Sequence, residues 1–428
     1  MDPTPAVRAP ATDQPLSFTS LRQALGPGVL LAGAAIGGSH LVASTQAGAR
    51  YGLGLLALVL LANLVKYPFL LVGTRFTAVT GLSLLEGYQR QRPWYLPLFL
   101  LITLATGVAN IAAVTAVAGS LATSFLPFSP VLLSLALLGL GLALLLLGHY
   151  RSLDRFSKVI VLLLVLFTLL ATGAVLLRGR LGSGASLFSP SPWSLTSLPF
   201  LVALIGWMPC PLDLAAWSSL WIFAREDDTG ARSSRAAVEA DFNLGYALTT
   251  VMAVLFLLLG AWVMHGTGRE FSQAGAAFAQ QLVQLYTASL GSWAYPLIAA
   301  AAFITMLSTS LTCLDGYPRS ASAGLRLLRG HRGRQVHDRR DQQLWIGLHA
   351  LLAAAVVGLW PGSMGTLVQL AMLVSFLTTP VLAAMNLKVM QGRQVAPQDR
   401  FHGGLLLLAR LGLGLLSAFL LVFLLSLG

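Results

Sequence analysis

Three side chains that suit soft transition metals, His40, Met208 and Cys210, stand beside two interruptions in otherwise apolar runs. Imidazole, thioether and thiolate together make a mixed nitrogen–sulfur ligand set for a relatively soft ion. The first interruption is Ile36-Gly37-Gly38-Ser39-His40, within Leu30 to Val42. The second is Ile205-Gly206-Trp207-Met208-Pro209-Cys210-Pro211, within Leu201 to Asp213. Glycine permits the backbone angles of a turn, and Pro209 and Pro211 remove two amide donors and end a helical ladder. A broken helix leaves bare carbonyls where one half ends, which attract cations. It leaves bare amides where the next half begins, which favour anions. Gly37, Gly38, Ser39 and Ile205 are therefore read as the backbone of a substrate site. His40, Met208 and Cys210 are read as its side chains and as the metal ligands. Singly, each would be an ordinary packing or interhelical residue; their joint placement at two breaks carries the reading.

Two charges lie deep in apolar sequence: Lys66, within Leu61 to Pro68, and Asp213, five residues past Met208. A charge in the bilayer core costs about 2.5–3.5 kcal/mol on insertion scales. They are read as a fixed cation and a titratable carboxylate that couple transport or tune charge, against the plainer alternative of a structural ion pair or snorkelling. Ser308, Thr309 and Thr312 could complete an oxygen-lined ion site with first-span carbonyls, although such hydroxyls commonly bond their own helix. Glu239 and Asp241 are expected to sit at the N-terminus of their own helix, where acids are favoured.

The elements that must position these groups are membrane spans. Of 428 residues, 56% are hydrophobic and 10% charged, against roughly 25% charged in a soluble domain. Apolar runs of spanning length fall at 26–48, 53–78, 94–121, 128–149, 157–177, 198–222, 241–266, 291–314, 343–360, 365–386 and 403–427. This predicts an all-α polytopic membrane protein of about 11 transmembrane helices. Residues 1–24 form an expected disordered cytoplasmic tail rich in proline, with no signal peptide.

The net charge of +12 does not indicate nucleic acid, because the basic residues lie in short loops. Twenty Arg and Lys fall on the side of the N-tail and four on the other, counting only the loops. That asymmetry places the N-terminus in the cytoplasm and the C-terminus outside. The cluster from Arg326 to Arg340 is read as facing anionic lipid. Spans one to five (25–177) and six to ten (198–386) form two halves of opposite orientation, joined by an extracytoplasmic connector (178–197). A loop and eleventh helix follow (387–428). Span one then corresponds to span six, and those are the broken ones. A pair of interrupted spans in matching positions points to the binding site of a secondary transporter.

Further motifs resemble the natural resistance-associated macrophage protein (NRAMP) family of divalent-metal transporters. They are Leu25-Gly26-Pro27-Gly28, Ala47 to Gly52, Leu61-Ala62-Asn63, Val79 to Leu84, Met208-Pro209, Leu307 to Thr312 and Lys388 to Gly392. The resemblance implies a leucine-transporter-like 5+5 inverted repeat with helices 1 and 6 broken. It also marks departures. The family's Asp-Pro-Gly-Asn reads Gly37-Gly38-Ser39-His40 here, and its Met-Pro-His-Asn reads Met208-Pro209-Cys210-Pro211. Its carbonyl-donating Ala corresponds to Ile205, and its acidic proton-route residues fall at Asn110 and Ala113. Without the carboxylate, a hard cation loses its strongest charge partner.

The expectation is a secondary transporter in a lipid bilayer, moving a divalent metal ion coupled to protons or another ion. Lean loops suggest a bacterial inner membrane. A small organic or anionic solute is the alternative cargo, favoured by Lys66 and the half-helix amides, and a non-transporting sensor is a third reading. No enzyme chemistry, cofactor or nucleic-acid partner is expected: there is no nucleophile–base set, phosphate loop or Cys/His quartet. Cys210 and Cys313 lie in apolar sequence and are not expected to form a disulfide.

Overall fold

The computed structural model describes residues 26–147, 150–180, 186–230, 234–331, 339–360 and 362–427. The expected tail, residues 181–185 of the connector and residues 332–338 of the basic cluster lie outside them. Among the described residues, nine helical segments are long and apolar enough to cross a membrane, and two apolar helices are shorter.

The first span is broken as the glycines require. Helix α1 (Pro27–Ala35) ends, the chain turns at Ile36 and Gly37, and a π-helical stretch, Gly38–Ser44, leads into α2 (Thr45–Tyr51). Then come α3 (Leu56–Thr80), the short α4 (Leu84–Gln91), α5 (Tyr95–Ala122), α6 (Pro130–Leu147) and α7 (Tyr150–Arg178). The sixth span is broken as well. Helix α8 (Leu198–Trp207) stops where Pro209 and Pro211 withhold amides, and α9 (Leu214–Thr229) resumes after Asp213. The remainder is α10 (Arg235–Val263), α11 (Gly275–Leu290), α12 (Tyr295–Leu328), α13 (Arg339–Leu359), α14 (Met364–Met390) and α15 (Gly403–Leu425). Each of the eleven expected spans is occupied by helix.

Two elements exceed the sequence reading. Helix α11 lies where a plain connection was expected, and it buries Phe278, Leu282, Leu285 and Tyr286. Helix α12 runs 14 residues past the expected end of its span at 314, to Leu328. Its polar extension is supported by an Asp315–Arg319 pair one turn apart, at 2.8 Å.

Burial separates the helices that build the centre from those that face lipid. The apolar stretches of α6, α13 and α15 are 22%, 28% and 17% buried, whereas the broken first span reaches 78% and α3 and α12 each 67%. The centre is made by close contact of small residues, which lets backbones approach where lipid gives no hydrophobic drive. A Cβ on Gly48 would lie 2.0 Å from the Leu257 carbonyl oxygen, and one on Gly260 would lie 2.2 Å from that of Thr45. Helices α2 and α10 are thus locked face to face. Replacing Gly260 by Val should lower the thermal unfolding temperature in detergent by several degrees, an overpacking cost of roughly 1–3 kcal/mol or more. Gly139→Ala, where a Cβ meets nothing within 4 Å, should be neutral in the same scan.

Candidate substrate site

The two interruptions meet. The Ser39 hydroxyl, in the first break, donates to the Pro209 carbonyl of the second at 3.0 Å, and also to the Ala35 carbonyl that ends α1, at 2.6 Å. A cavity of about 30 Å³ lies between them, room for an ion or one or two waters. Its wall includes Ala34, Ala35, Gly38 and Ser39 from the first break and Trp207, Cys210 and Pro211 from the second. Asn110 comes from α5, Trp217 from α9, and Thr309, Cys313 and Tyr317 from α12.

Gly38 is required by contact: a Cβ there would lie 2.4 Å from the Trp207 ring. The Trp207 indole N–H donates to the Asn110 carboxamide oxygen at 2.7 Å, and the Asn110 amide donates to the Tyr317 hydroxyl at 2.8 Å. A chain of polar side chains thereby ties α8 to α5 and α12. Gly37 is equally confined, since a Cβ would lie 2.4 Å from the Thr309 hydroxyl oxygen.

Placement of the sequence candidates is uneven. Ser39, Cys210, Gly38 and Thr309 line the cavity, but His40, Met208 and Ile205 do not. His40, expected as a metal ligand, lies outside the cavity wall. Its Nε2 lies 2.8 Å from the Thr249 carbonyl, and its Nδ1 lies 2.8 Å from the Ala35 carbonyl and 2.6 Å from Ser39 Oγ. Both ring nitrogens lie within hydrogen-bond distance of these groups, and the ring ties the first break to α10. Met208 is fully buried in packing. Thr309 bonds the Thr305 carbonyl at 3.1 Å and reaches the Gly33 carbonyl of α1 at 3.3 Å, while Thr312 bonds Ser308 within its own helix at 2.8 Å. Of the proposed hydroxyl site, only Thr309 is directed to the first span.

The buried charges are held near the second break. Lys66 Nζ donates to the carbonyls of Gly206 at 2.8 Å and Cys210 at 3.1 Å. Asp213 Oδ2 accepts from the Thr106 hydroxyl at 2.8 Å. Glu239 and Asp241 are not at the start of their helix, which begins at Arg235. Asp241 accepts from the Gly28 amide at 2.6 Å and so caps α1, a neighbour's N-terminus. Glu239 makes a two-pronged pair with Arg75, both contacts at 2.8 Å.

Sequence reading did not single out Trp207, Trp217 or Tyr317, and weighed Cys313 only as a disulfide partner. An indole N–H one residue before a break, needing a buried acceptor, was the available signal for Trp207.

Two facing half-helices around an ion-sized chamber, within a bundle of apolar spans, define a multi-pass membrane transporter of the broken-helix, inverted-repeat class. A family model described as natural resistance-associated macrophage protein-like matches residues 28–426, and the chain belongs to that family. It is 39% identical to an uncharacterized protein of Pasteurella multocida, over 94% of this chain and 91% of that one. A divalent metal cation transporter, MntH, of Latilactobacillus sakei is 23% identical over 60% of this chain and 57% of its own length. The fold matches that of a manganese transporter mutant from Eremococcus coleocola with a TM-score of 0.72. That match covers 97% of this chain and 89% of the other at 16% identity.

Replacing Trp207 by Phe keeps the ring but leaves the Asn110 oxygen without its donor from α8. The expected loss is about 1–3 kcal/mol, read as a fall in thermal unfolding temperature of purified protein without cargo.

Proposed function

We propose that this chain moves a divalent transition-metal ion by alternating access, through the chamber between the two breaks. Two five-helix repeats, 25–177 and 198–386, would rock about that chamber. One observation carries the reading: residues from both breaks and from α5, α9 and α12 converge on a space of about 30 Å³. That is ion-sized. The family relationship and the relatives that carry metal support the same cargo class.

The wall of this chamber contains no carboxylate, yet it offers two thiols, Cys210 and Cys313, with oxygens from Ser39 and Asn110. Thiolates are soft ligands and select ions such as zinc over magnesium or calcium. A neutral thiol releases its proton when it binds a metal, so loading the site would itself exchange protons for cargo. Asp213 and Lys66, at the second break, would set the local charge. The excess of basic residues on one side supports an N-terminus in the cytoplasm, and the short loops fit a bacterial inner membrane.

Calorimetric titration of purified protein should show binding of zinc or manganese, with zinc the tighter, and none of magnesium. Cys210→Ser and Cys313→Ser should each weaken zinc binding by at least roughly tenfold, or ~1.4 kcal/mol. Unchanged zinc affinity in both variants would remove the thiols from the site. Proteoliposome flux of an organic solute that ignores metals would instead establish the alternative cargo.

A further inference from the structure

We infer that Lys66 is a tethered cation, its ammonium filling the cation position that the second break creates. The inference concerns the break and not the cargo, so it stands apart from the metal reading above.

A half-helix that ends inside the bilayer presents its last carbonyls and the negative end of its dipole, equivalent to about half an elementary charge. In broken-helix transporters such ends coordinate a free cation. Here the chain leaves α8 at Met208 and exposes carbonyl oxygens within the bundle. Lys66 reaches from α3 and donates to Gly206 at 2.8 Å and to Cys210 at 3.1 Å, one oxygen before the break and one inside it. The side chain is fully buried. An isolated ammonium so placed would cost several kcal/mol of desolvation; two carbonyls and a helix end reduce that cost. Asp213, at the other end of the same break, interacts electrostatically with it. The break is therefore charge-balanced by the chain itself.

Two consequences follow for this site. A free cation has no vacant place at these carbonyls, so the break holds its shape whichever salt is present. The ammonium also fixes α8 to α3, so these two elements move together.

The test uses purified protein in chelator-treated buffer without any cargo, comparing thermal unfolding in choline, sodium and methylammonium chlorides at equal ionic strength. The unaltered protein should unfold at the same temperature in all three. Lys66→Ala, which opens a space for a small cation, should be destabilised in choline and should regain most of the loss in sodium or methylammonium, in a concentration-dependent way. Lys66→Gln retains hydrogen-bond donors without charge and should also be destabilised in choline. Two results would overturn the inference. One is Lys66→Gln as stable as the unaltered protein in choline, which would make the amine only a hydrogen-bond donor. The other is Lys66→Ala destabilised equally in every salt. Neither result bears on whether a metal is carried, because none is present.

Discussion

Main-chain amides and carbonyls that leave a helical ladder inside a bilayer have no water to turn to, and an unsatisfied one costs several kcal/mol. That constraint governs the centre of this protein. Two breaks expose such groups, and the surrounding side chains are arranged around them. Asp241 serves the amides that open α1. Ser39 bridges the carbonyl of Ala35 to that of Pro209. His40 stands between the carbonyls of Ala35 and Thr249, and Lys66 holds those of Gly206 and Cys210. Small residues make these contacts possible, because Gly38 and Gly37 let Trp207 and Thr309 lie directly against the first break.

The departures from the family's pattern gain a common physical sense. Where the resemblance would set Asp and Asn in the first break, this chain has Gly37 and His40. The glycine leaves the approach of Thr309 open, and the imidazole nitrogens lie against main-chain carbonyls. A carboxylate, Asp213, and a lysine, Lys66, stand instead at the second break. A cavity wall without carboxylate and with two thiols is consistent with a cargo softer than the hard cations that oxygen cages hold.

Much of the fold was legible because the bilayer imposes length and composition on a span. All eleven apolar runs became helix, and both interruptions became breaks, since proline and glycine act locally. Elements whose reason is not apolar length were less visible. Helix α11 buries one face against neighbours, and the extension of α12 buries Tyr317, Ala321, Ala323 and Leu327 beside its Asp315–Arg319 pair. In the site, Ser39, Cys210, Gly38 and Thr309 were identified by type and position and do line the cavity, whereas His40 and Met208 were drawn from the same local logic and do not. A ring two bonds from the backbone can face either the chamber or a neighbouring helix, and residue type does not choose.

The sequence by itself determined the spans, the places where two of them must break, and the presence of one cation and one carboxylate too costly to be incidental. Tertiary structure decided which groups meet. Lys66 and the Gly206 carbonyl, Asp241 and the Gly28 amide, and Trp207 and Asn110 all join residues far apart in the chain. Breakage is a local property of backbone chemistry. Satisfaction of what breakage exposes depends on which helices come to lie side by side.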